Sequence, residues 1–462
     1  MTFTLNRRKV LAAAASSFAF PALARSSAKR PNILFIMADD MGYADLSCYG
    51  RRDYETPHID GLAQSGMKLT SGYANSPVCS ATRTALITGR YQYRLPIGLE
   101  EPLAFRDMGL PPAEPTLPSQ LRKAGYATSL IGKWHLGAAP KFGPRLSGYD
   151  SFFGIQGGGA DYFTHASGKG HDLWNNEKTA DDQGYLTDIL ASKAITQLRR
   201  HAADSRPFFM SLHFTAPHWP WEGPKDQEES ARIAVSSDAA AGFHYDGGTM
   251  ASYAAIMRRL DEKVGDVLTA LEQLGMADDT IVVFTSDNGG ERFSDNWPFS
   301  GRKTELLEGG IRVPLIVRWP GRIAAGSENA EPVMSMDWLP TFLALAGSSP
   351  LAERPSDGID VTAALRGGTL PVRTLFWRYR HLDQSACRLG HYKYLRINGN
   401  EFLFDVVNDP LERGNLSARL HEVFADLKSR YSSWNETMLP FDPESFSHGF
   451  HAKDAADRFG VE

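Results

Sequence analysis

Five short runs dense in β-branched and aromatic residues punctuate the first two thirds of the chain: NILFIMA (32–38), ATSLIG (127–132), PFFMSLHFT (207–215), TIVVFTS (280–286) and VPLIVRW (313–319). Each is apolar almost throughout instead of alternating, which is the pattern of a strand covered on both faces, as in a mostly parallel sheet. The segments between them read as helices. In SYAAIMRRLDEKVGDVLTALEQLG (252–275), Ile256, Leu260, Val264, Val267, Leu271 and Leu274 keep a helical stripe, and Gly275 stands where a C-terminal cap belongs. TLPSQLRKAGY (116–126) reads the same way. Strand alternating with helix predicts a doubly wound α/β domain over residues 30–370. Beyond about residue 370 the pattern changes to short aromatic runs, TLFWRYR, YKYLRI and EFLFDV, separated by turn residues. These predict a smaller antiparallel-sheet subdomain over 371–462. No internal repeat or low-complexity linker interrupts the chain.

A chain of 462 residues with 42% hydrophobic content supports a large buried core. Its formal charge of −5, with no basic block past the extreme N-terminus, argues against nucleic acid as a partner. That N-terminus, NRRKVLAAAASSFAFPALA, has a charged start, an apolar stretch and a small-x-small end, and predicts a signal peptide over 1–24. Arg7-Arg8 followed by Lys9 points to the twin-arginine route, hence to a periplasmic or secreted protein exported folded. The apolar stretch is too short for a stable span, and no later one is long enough. Three cysteines, Cys48, Cys79 and Cys387, are too few for a disulfide framework, and a Cys48–Cys387 pairing stays open.

Ligands of open α/β sheets bind beyond the carboxyl ends of the strands. The residues just past each apolar run are therefore informative. Asp39 and Asp40 come after the first run, and Lys133, Trp134 and His135 after the second. Pro217, His218 and Trp219 come after the third, and Asp287, Asn288 and two glycines after the fourth. Singly, these are ordinary caps and turns. Together they aim carboxylates, an amide, a lysine and two histidines at one edge. The oxygen set Asp39, Asp40, Asp287 and Asn288 suits calcium or magnesium and offers no zinc ligand set. Lys133, His135 and His218 suit the holding and protonation of an oxyanion. CSATRTALITG (79–89) reads as a helix from its own N-terminus to a Gly89 stop, which puts Cys79 where anions are favoured and thiol pKa values fall, with Arg83 one turn on.

With these residues assembled, the chain resembles the sulfatase family of the alkaline phosphatase superfamily. Seven segments carry the likeness in order: PNILFIMADDMGYADLSCYG, CSATRTALITGRY, GKWHLG, APHWP, TSDNGG, GRKTELLEGGIRVPLIVRWPG and YKYLRI with EFLFDVVNDPLERGNL. The resemblance implies an alkaline-phosphatase-like mixed, mostly parallel sheet flanked by helices, with the smaller C-terminal antiparallel sheet. It implies hydrolysis of aryl or carbohydrate sulfate monoesters by a Cα-formylglycine made from Cys79 by a maturation enzyme. Asp39, Asp40, Asp287, Asn288 and the modified residue 79 would hold Ca²⁺, or Mg²⁺. Arg83 and His135 would hold and polarise the aldehyde hydrate, Lys133 and Lys303 would neutralise the sulfate oxygens, and His218 would protonate the leaving alcohol. The commonest signature has proline where this chain has Ala81, which leaves the converting enzyme open.

Two other functions fit the same residues. One is a phosphate or phosphonate ester hydrolase on the same scaffold, and the other is a sulfated-glycan binding protein with an unconverted Cys79. Trp134, Trp219 and Trp221 offer faces for a sugar ring or belong to the core, and DYFTHASGKGHDLWNN with WRYRHLDQ could line the pocket.

Overall fold

The computed structural model describes residues 1, 30–168, 170–236, 238 and 241–458. The expected signal peptide and its Arg7-Arg8 pair lie outside the described residues, Met1 apart.

The apolar runs form the middle of a ten-stranded mixed sheet. In chain order its strands are β1 (Asn32–Ala38), β2 (Met67–Leu69), β3 (Ala127–Gly132), β4 (Ser151–Gly154), β5 (Trp174–Asn175), β6 (Lys178–Thr179), β7 (Phe208–His213), β8 (Thr280–Ser286), β9 (Leu315–Arg318) and β10 (Ser327–Asn329). Their spatial order is β10-β2-β9-β8-β1-β7-β3-β4-β5-β6. The four strands β8, β1, β7 and β3 are adjacent and parallel, so their carboxyl ends share one edge. The fifth apolar run departs from that pattern. Pro314 has no N–H to give a ladder and divides the run: Arg312–Val313 pairs with Gly72–Tyr73 in a separate three-stranded sheet, and β9 runs antiparallel to β8. The chain leaves β8 and returns at the same edge with no long helix to carry it back, so β9 must enter in the opposite sense.

Helices cover both faces. Residues of β1 alternate between them, Leu34 and Ile36 packing with α4 (Leu186–Ala202) and α5 (Met250–Gln273), and Ile33, Phe35 and Met37 with α3 (Leu117–Lys123) and α6 (Trp338–Leu345). Burial on both faces is why the strands show no polar alternation. The stripe on α5 is buried from Ile256 to Leu271, and Gly275 closes the helix at φ +67°. Trp338 fills the second face, its ring 5.1 Å from that of Phe342 and 5.9 Å from that of Phe35. Trp338→Ala should cost about 3–5 kcal/mol through the cavity it leaves. A lowered thermal midpoint would register this, whereas an unchanged one would mean the layers close over the void.

Beyond the main sheet, β11 (Leu375–Tyr379), β12 (Gln384–Leu389), β13 (Tyr392–Ile397) and β14 (Asn400–Asp405) make an antiparallel meander under α7 (His421–Asn435). A buried ion cluster ties this meander to the main sheet. Lys393 Nζ lies 3.0 Å from Glu308 Oε1 and 2.9 Å from Glu412 Oε1, all three without solvent contact at the pair. Cys48 and Cys387 are both free thiols, so the open pairing is not made. Among the described residues no helix is long and apolar enough to cross a membrane.

Candidate active site

The parallel register brings the ends of the four central strands level. Ala38 is opposite Ser286, Met37 opposite His213, and His213 opposite Gly132. The next residue or two on each strand therefore meet. The Asp40 N–H donates to Asp287 Oδ1 at 3.2 Å, Asn288 Nδ2 donates to Asp40 Oδ1 at 2.8 Å, and Lys133 Nζ donates to Asp39 Oδ2 at 2.6 Å. Lys303 reaches in from the loop between β8 and β9 and donates to Asp40 Oδ2 at 2.5 Å. Its backbone is fixed there by a 3.0 Å bond from its N–H to the Gly290 carbonyl.

Cys79 is the first residue of α2 (Cys79–Thr88), which ends at Gly89 in the left-handed region. Every residue of this helix is buried. Arg83, one turn in, does not face outward but grips Asp287 Oδ2 through Nε (3.0 Å) and Nη2 (2.7 Å) and donates to the Lys133 carbonyl at 3.1 Å. The expected lowering of the thiol pKa does not occur. Burial pushes the Cys79 thiol up to about 12, and the nearby Lys133 and Lys303 ammonium groups only partly oppose it. Helix position is outweighed by desolvation. As a thiol, residue 79 is protonated at neutral pH.

His135 and His218 complete the cluster. His135 Nε2 faces the Leu103 carbonyl at 2.8 Å, while its Nδ1 is buried without a partner. His218 Nδ1 faces the Trp219 carbonyl at 2.8 Å and its Nε2 lies 3.5 Å from Asp40 Oδ2. Burial, with Lys133 beside His135 and with Lys303 and Lys133 beside His218, holds both imidazoles well below their usual range. Three non-glycine residues here have left-handed backbones: Asp40 (φ 62°), His135 (φ 56°) and Thr304 (φ 72°). Such conformations cost of order 1–3 kcal/mol and gather where side chains must be aimed. The loop at 157–159 must be glycine for a different reason. A Cβ on Gly158 would lie 2.6 Å from the His135 ring, and one on Gly159 would lie 2.9 Å from that of His218.

The residues fit a hard cation. Ligand atoms of Asp39, Asp40, Cys79 and His218 lie within 4.8 Å of one another. Asp39 Oδ1 and Asn288 Oδ1 are buried oxygens with no hydrogen-bond partner, which is costly unless something positive meets them. Burial and the neighbouring Asp287 push Asp39 well up, whereas Arg83 and Lys133 hold Asp287 below the ordinary carboxylate range against its own burial. Clustered carboxylate and amide oxygens of this kind match calcium or magnesium.

All ten sequence-predicted residues thus converge on one buried site, and three further residues join them. His213 ends β7, with Nδ1 3.3 Å from the Lys133 carbonyl and 3.4 Å from Arg83 Nη1; burial and Arg83 draw its pKa down to about 3. In the sequence it is concealed inside an apolar run. Glu291, three residues after Asn288, is buried with Oε2 unpartnered, and burial raises it to about 7. With Asp40, His218 and Trp219 it lines a small recess beside the site. The third is His448, from the C-terminal segment. Of the three tryptophans that offered sugar-stacking faces, Trp134 and Trp221 are core side chains and Trp219 is half-buried at the rim.

Residues 100–103 fasten that C-terminal segment to the site. The Leu103 N–H donates to Ser80 Oγ at 2.7 Å and its carbonyl meets His135. Glu101 exchanges backbone bonds with Phe446 and His448 (2.9 and 2.7 Å), and its Oε2 accepts from the Arg380 N–H (2.7 Å) and Ser447 Oγ (3.0 Å). Burial lifts Glu101 to about 8. A carboxyl raised in the folded state gives stability that is complete below its unfolded pKa and is lost as pH rises through the folded value. Thermal midpoints should therefore decline between about pH 5 and 8 through this group. Glu101→Gln should flatten that decline, and an unaltered pH profile would show the carboxyl is ionised when buried.

The chain is similar to known proteins over most of its length. The family model described as Sulfatase matches residues 31–348. The chain belongs to the sulfatase family. A second model, described as N-sulphoglucosamine sulphohydrolase, C-terminal, matches residues 301–436. The N-acetylgalactosamine-6-sulfatase of Canis lupus familiaris is 34% identical over 390 residues, covering 79% of this chain and 71% of its own. The steryl-sulfatase of Mus musculus is 33% identical over 435 residues, covering 75% and 67%. Among solved structures, Ps i-CgsB in complex with k-i-k-neocarrahexaose superposes with a TM-score of 0.81 at 28% identity, over 92% of this chain and 97% of that one. This sulfatase is accordingly a sulfuric ester hydrolase on an alkaline-phosphatase-like fold.

Proposed function

We propose that this sulfatase hydrolyses sulfate monoesters of saccharides through a formylglycine made from Cys79, with calcium or magnesium held by Asp39, Asp40, Asp287 and Asn288. The observation that carries this is the buried cluster itself. Cys79 heads a helix within reach of the carboxylates and His218, yet a thiol held near pKa 12 is neither a good nucleophile nor a hard-metal ligand. An oxygen at that position answers both defects. When present, the metal and the hydrated formylglycine supply the activated oxygen nucleophile.

The chain's own groups do the rest. Lys133 and Lys303 flank the carboxylates and can turn to the sulfate oxygens, neutralising charge that grows in the transition state. Arg83 holds Asp287 in place, and His135, anchored through Leu103, presents Nδ1. With Nδ1 of His218 engaged by the Trp219 carbonyl, Nε2 is the atom that faces the site and passes a proton to the leaving alkoxide oxygen. An arriving sulfate ester brings negative charge, which restores basicity to an imidazole that burial had lowered. The catalytic domain is taken as 30–370 and the subdomain as 371–462. The leader at 1–24 would deliver the protein to the periplasm or medium after a cytoplasmic maturation enzyme has acted on Cys79.

Saccharide esters are favoured because the similar proteins include an N-acetylgalactosamine-6-sulfatase and a solved structure in complex with k-i-k-neocarrahexaose. Peptide mass spectrometry on the segment around residue 79, from protein made in its native host, tests the nucleophile: replacing CH₂SH by CHO lowers the mass by about 18 Da. An intact thiol in active protein would remove the formylglycine. Turnover of an aryl phosphate faster than the matching aryl sulfate would instead favour a phosphoester substrate.

A further inference from the structure

The strap at 100–103 holds a piece of chain that the sulfatase chemistry does not require. Residues 445–450 come after the meander and α7, return to the main domain and cross beside the site. They are fixed at nearly every residue: the Phe446 N–H donates to Glu100 Oε2 (3.1 Å), the Ser447 hydroxyl to Glu101, and Tyr379 Oη to the His448 carbonyl (2.7 Å). The His448 side chain is the part left over. Its ring stacks on Phe243 with centroids 6.0 Å apart and planes at 6°. Phe243 lies 4.6 Å from Trp219, and Trp219 4.1 Å from His218. Lys303 Nζ stands 5.9 Å from the Trp219 ring. The row of rings thus runs from the group facing the leaving oxygen outward to a half-buried rim.

Resting on the proposed sulfatase reaction, we infer that His448 is a specificity-determining residue on the alcohol side of the site, selecting a hydroxyl-bearing sugar ring over a bare aryl group. Trp219, half-buried at the rim and backed by Phe243, offers an apolar ring that either substrate can use. His448 adds what only a sugar can answer. Its ring nitrogens make no hydrogen bond to any described residue, and burial with Lys303 nearby draws its pKa to about 4, so the imidazole is neutral with one donor and one acceptor. A half-buried polar group that the wrong substrate covers and leaves unpaired penalises that substrate. Because the backbone is tied down, the group is presented without an ordering cost on binding.

The test is steady-state kinetics of the mature enzyme and of His448→Ala, His448→Gln and Phe243→Ala. The probes are 4-nitrophenyl sulfate, N-acetylgalactosamine 6-sulfate and a sulfated carrageenan oligosaccharide. Turnover of 4-nitrophenyl sulfate by the wild type reports on the sulfatase reading alone. On the better saccharide, His448→Ala should lower kcat/KM by about 30-fold, mainly through KM, and should shift the saccharide-to-aryl ratio by at least about tenfold. His448→Gln, which keeps a donor and an acceptor, should recover part of the loss. Equal losses on aryl and saccharide esters, or none on the saccharide, would overturn the assignment. So would a wild type that cleaves the aryl sulfate and neither saccharide. A wild type inactive on all three would sink the sulfatase reading and this inference together.

Discussion

Cys79→Ala is expected to lose sulfate-ester turnover by about 10⁵-fold or more, equivalent to about 7 kcal/mol of transition-state stabilisation, while its thermal midpoint stays within a few degrees of wild type. The two halves of this result have separate causes. The side chain is 1% exposed and opens α2, where alanine is a good helix former and the lost terminal atoms leave only a small void. Structure should therefore survive. Activity should not, because residue 79 is the group proposed to carry the nucleophile, and its side chain lies within 4.8 Å of ligand atoms of Asp39, Asp40 and His218. Serine at 79 should be nearly as inactive, since it offers one oxygen to take the sulfate but no second hydroxyl on the same carbon whose collapse to an aldehyde would expel it. Single-turnover assays with 4-nitrophenyl sulfate separate the two variants, and retention of more than about 1% of wild-type kcat by the alanine variant would dismiss residue 79 as the nucleophile's source.

Exhaustive chelation should have the second largest effect. Removing the divalent ion is expected to lower kcat by at least about 100-fold and the thermal midpoint by several degrees, with both restored by added calcium. Three carboxylates, Asp39, Asp40 and Asp287, are gathered at the ends of β1 and β8, opposed by Arg83, Lys133 and Lys303. These cations leave two buried oxygens without a hydrogen bond: Asp39 Oδ1, which Arg83 Nη2 approaches only to 3.7 Å, and Asn288 Oδ1. A ligand present at 100 times its Kd stabilises the folded state by about 2.7 kcal/mol, so the midpoint is a readout independent of turnover. Full activity and an unshifted midpoint in protein shown by elemental analysis to hold no metal would exclude the ion.

Much of the site was legible because parallel strands buried on both faces end together. Asp39, Lys133, His218 and Asp287 each come just after an apolar run, so recognising the runs placed the residues at one edge before any contact was known. Cys79 and Arg83 were legible as a helix bounded by Gly89. The partner of Arg83 was not, because a helical position gives a direction and not a contact; it holds Asp287 rather than pointing only at residue 79. His213 was masked by the apolar run that carries it. The strand at Gln384–Leu389 was missed since QSACRL lacks the β-branched and aromatic residues that mark its neighbours, and it is recruited by pairing on both sides. The antiparallel turn of β9 depends on the route of a loop. His448 reaches the site by a return of the chain that no local pattern encodes.

The burial of Cys79 also bears on the order of events during synthesis. The thiol is enclosed in the folded chain, and the strap that bonds its neighbour Ser80 through the Leu103 N–H is fastened only by residues 446–448. At 5–20 residues per second, roughly 20–70 s separate the emergence of Cys79 from that of His448. On the proposed conversion of Cys79, a converting enzyme would have this interval, extended by whatever delay precedes final packing, in which to reach the cysteine. Slowing elongation or delaying closure of the C-terminal segment should therefore raise the converted fraction, and accelerating folding should lower it.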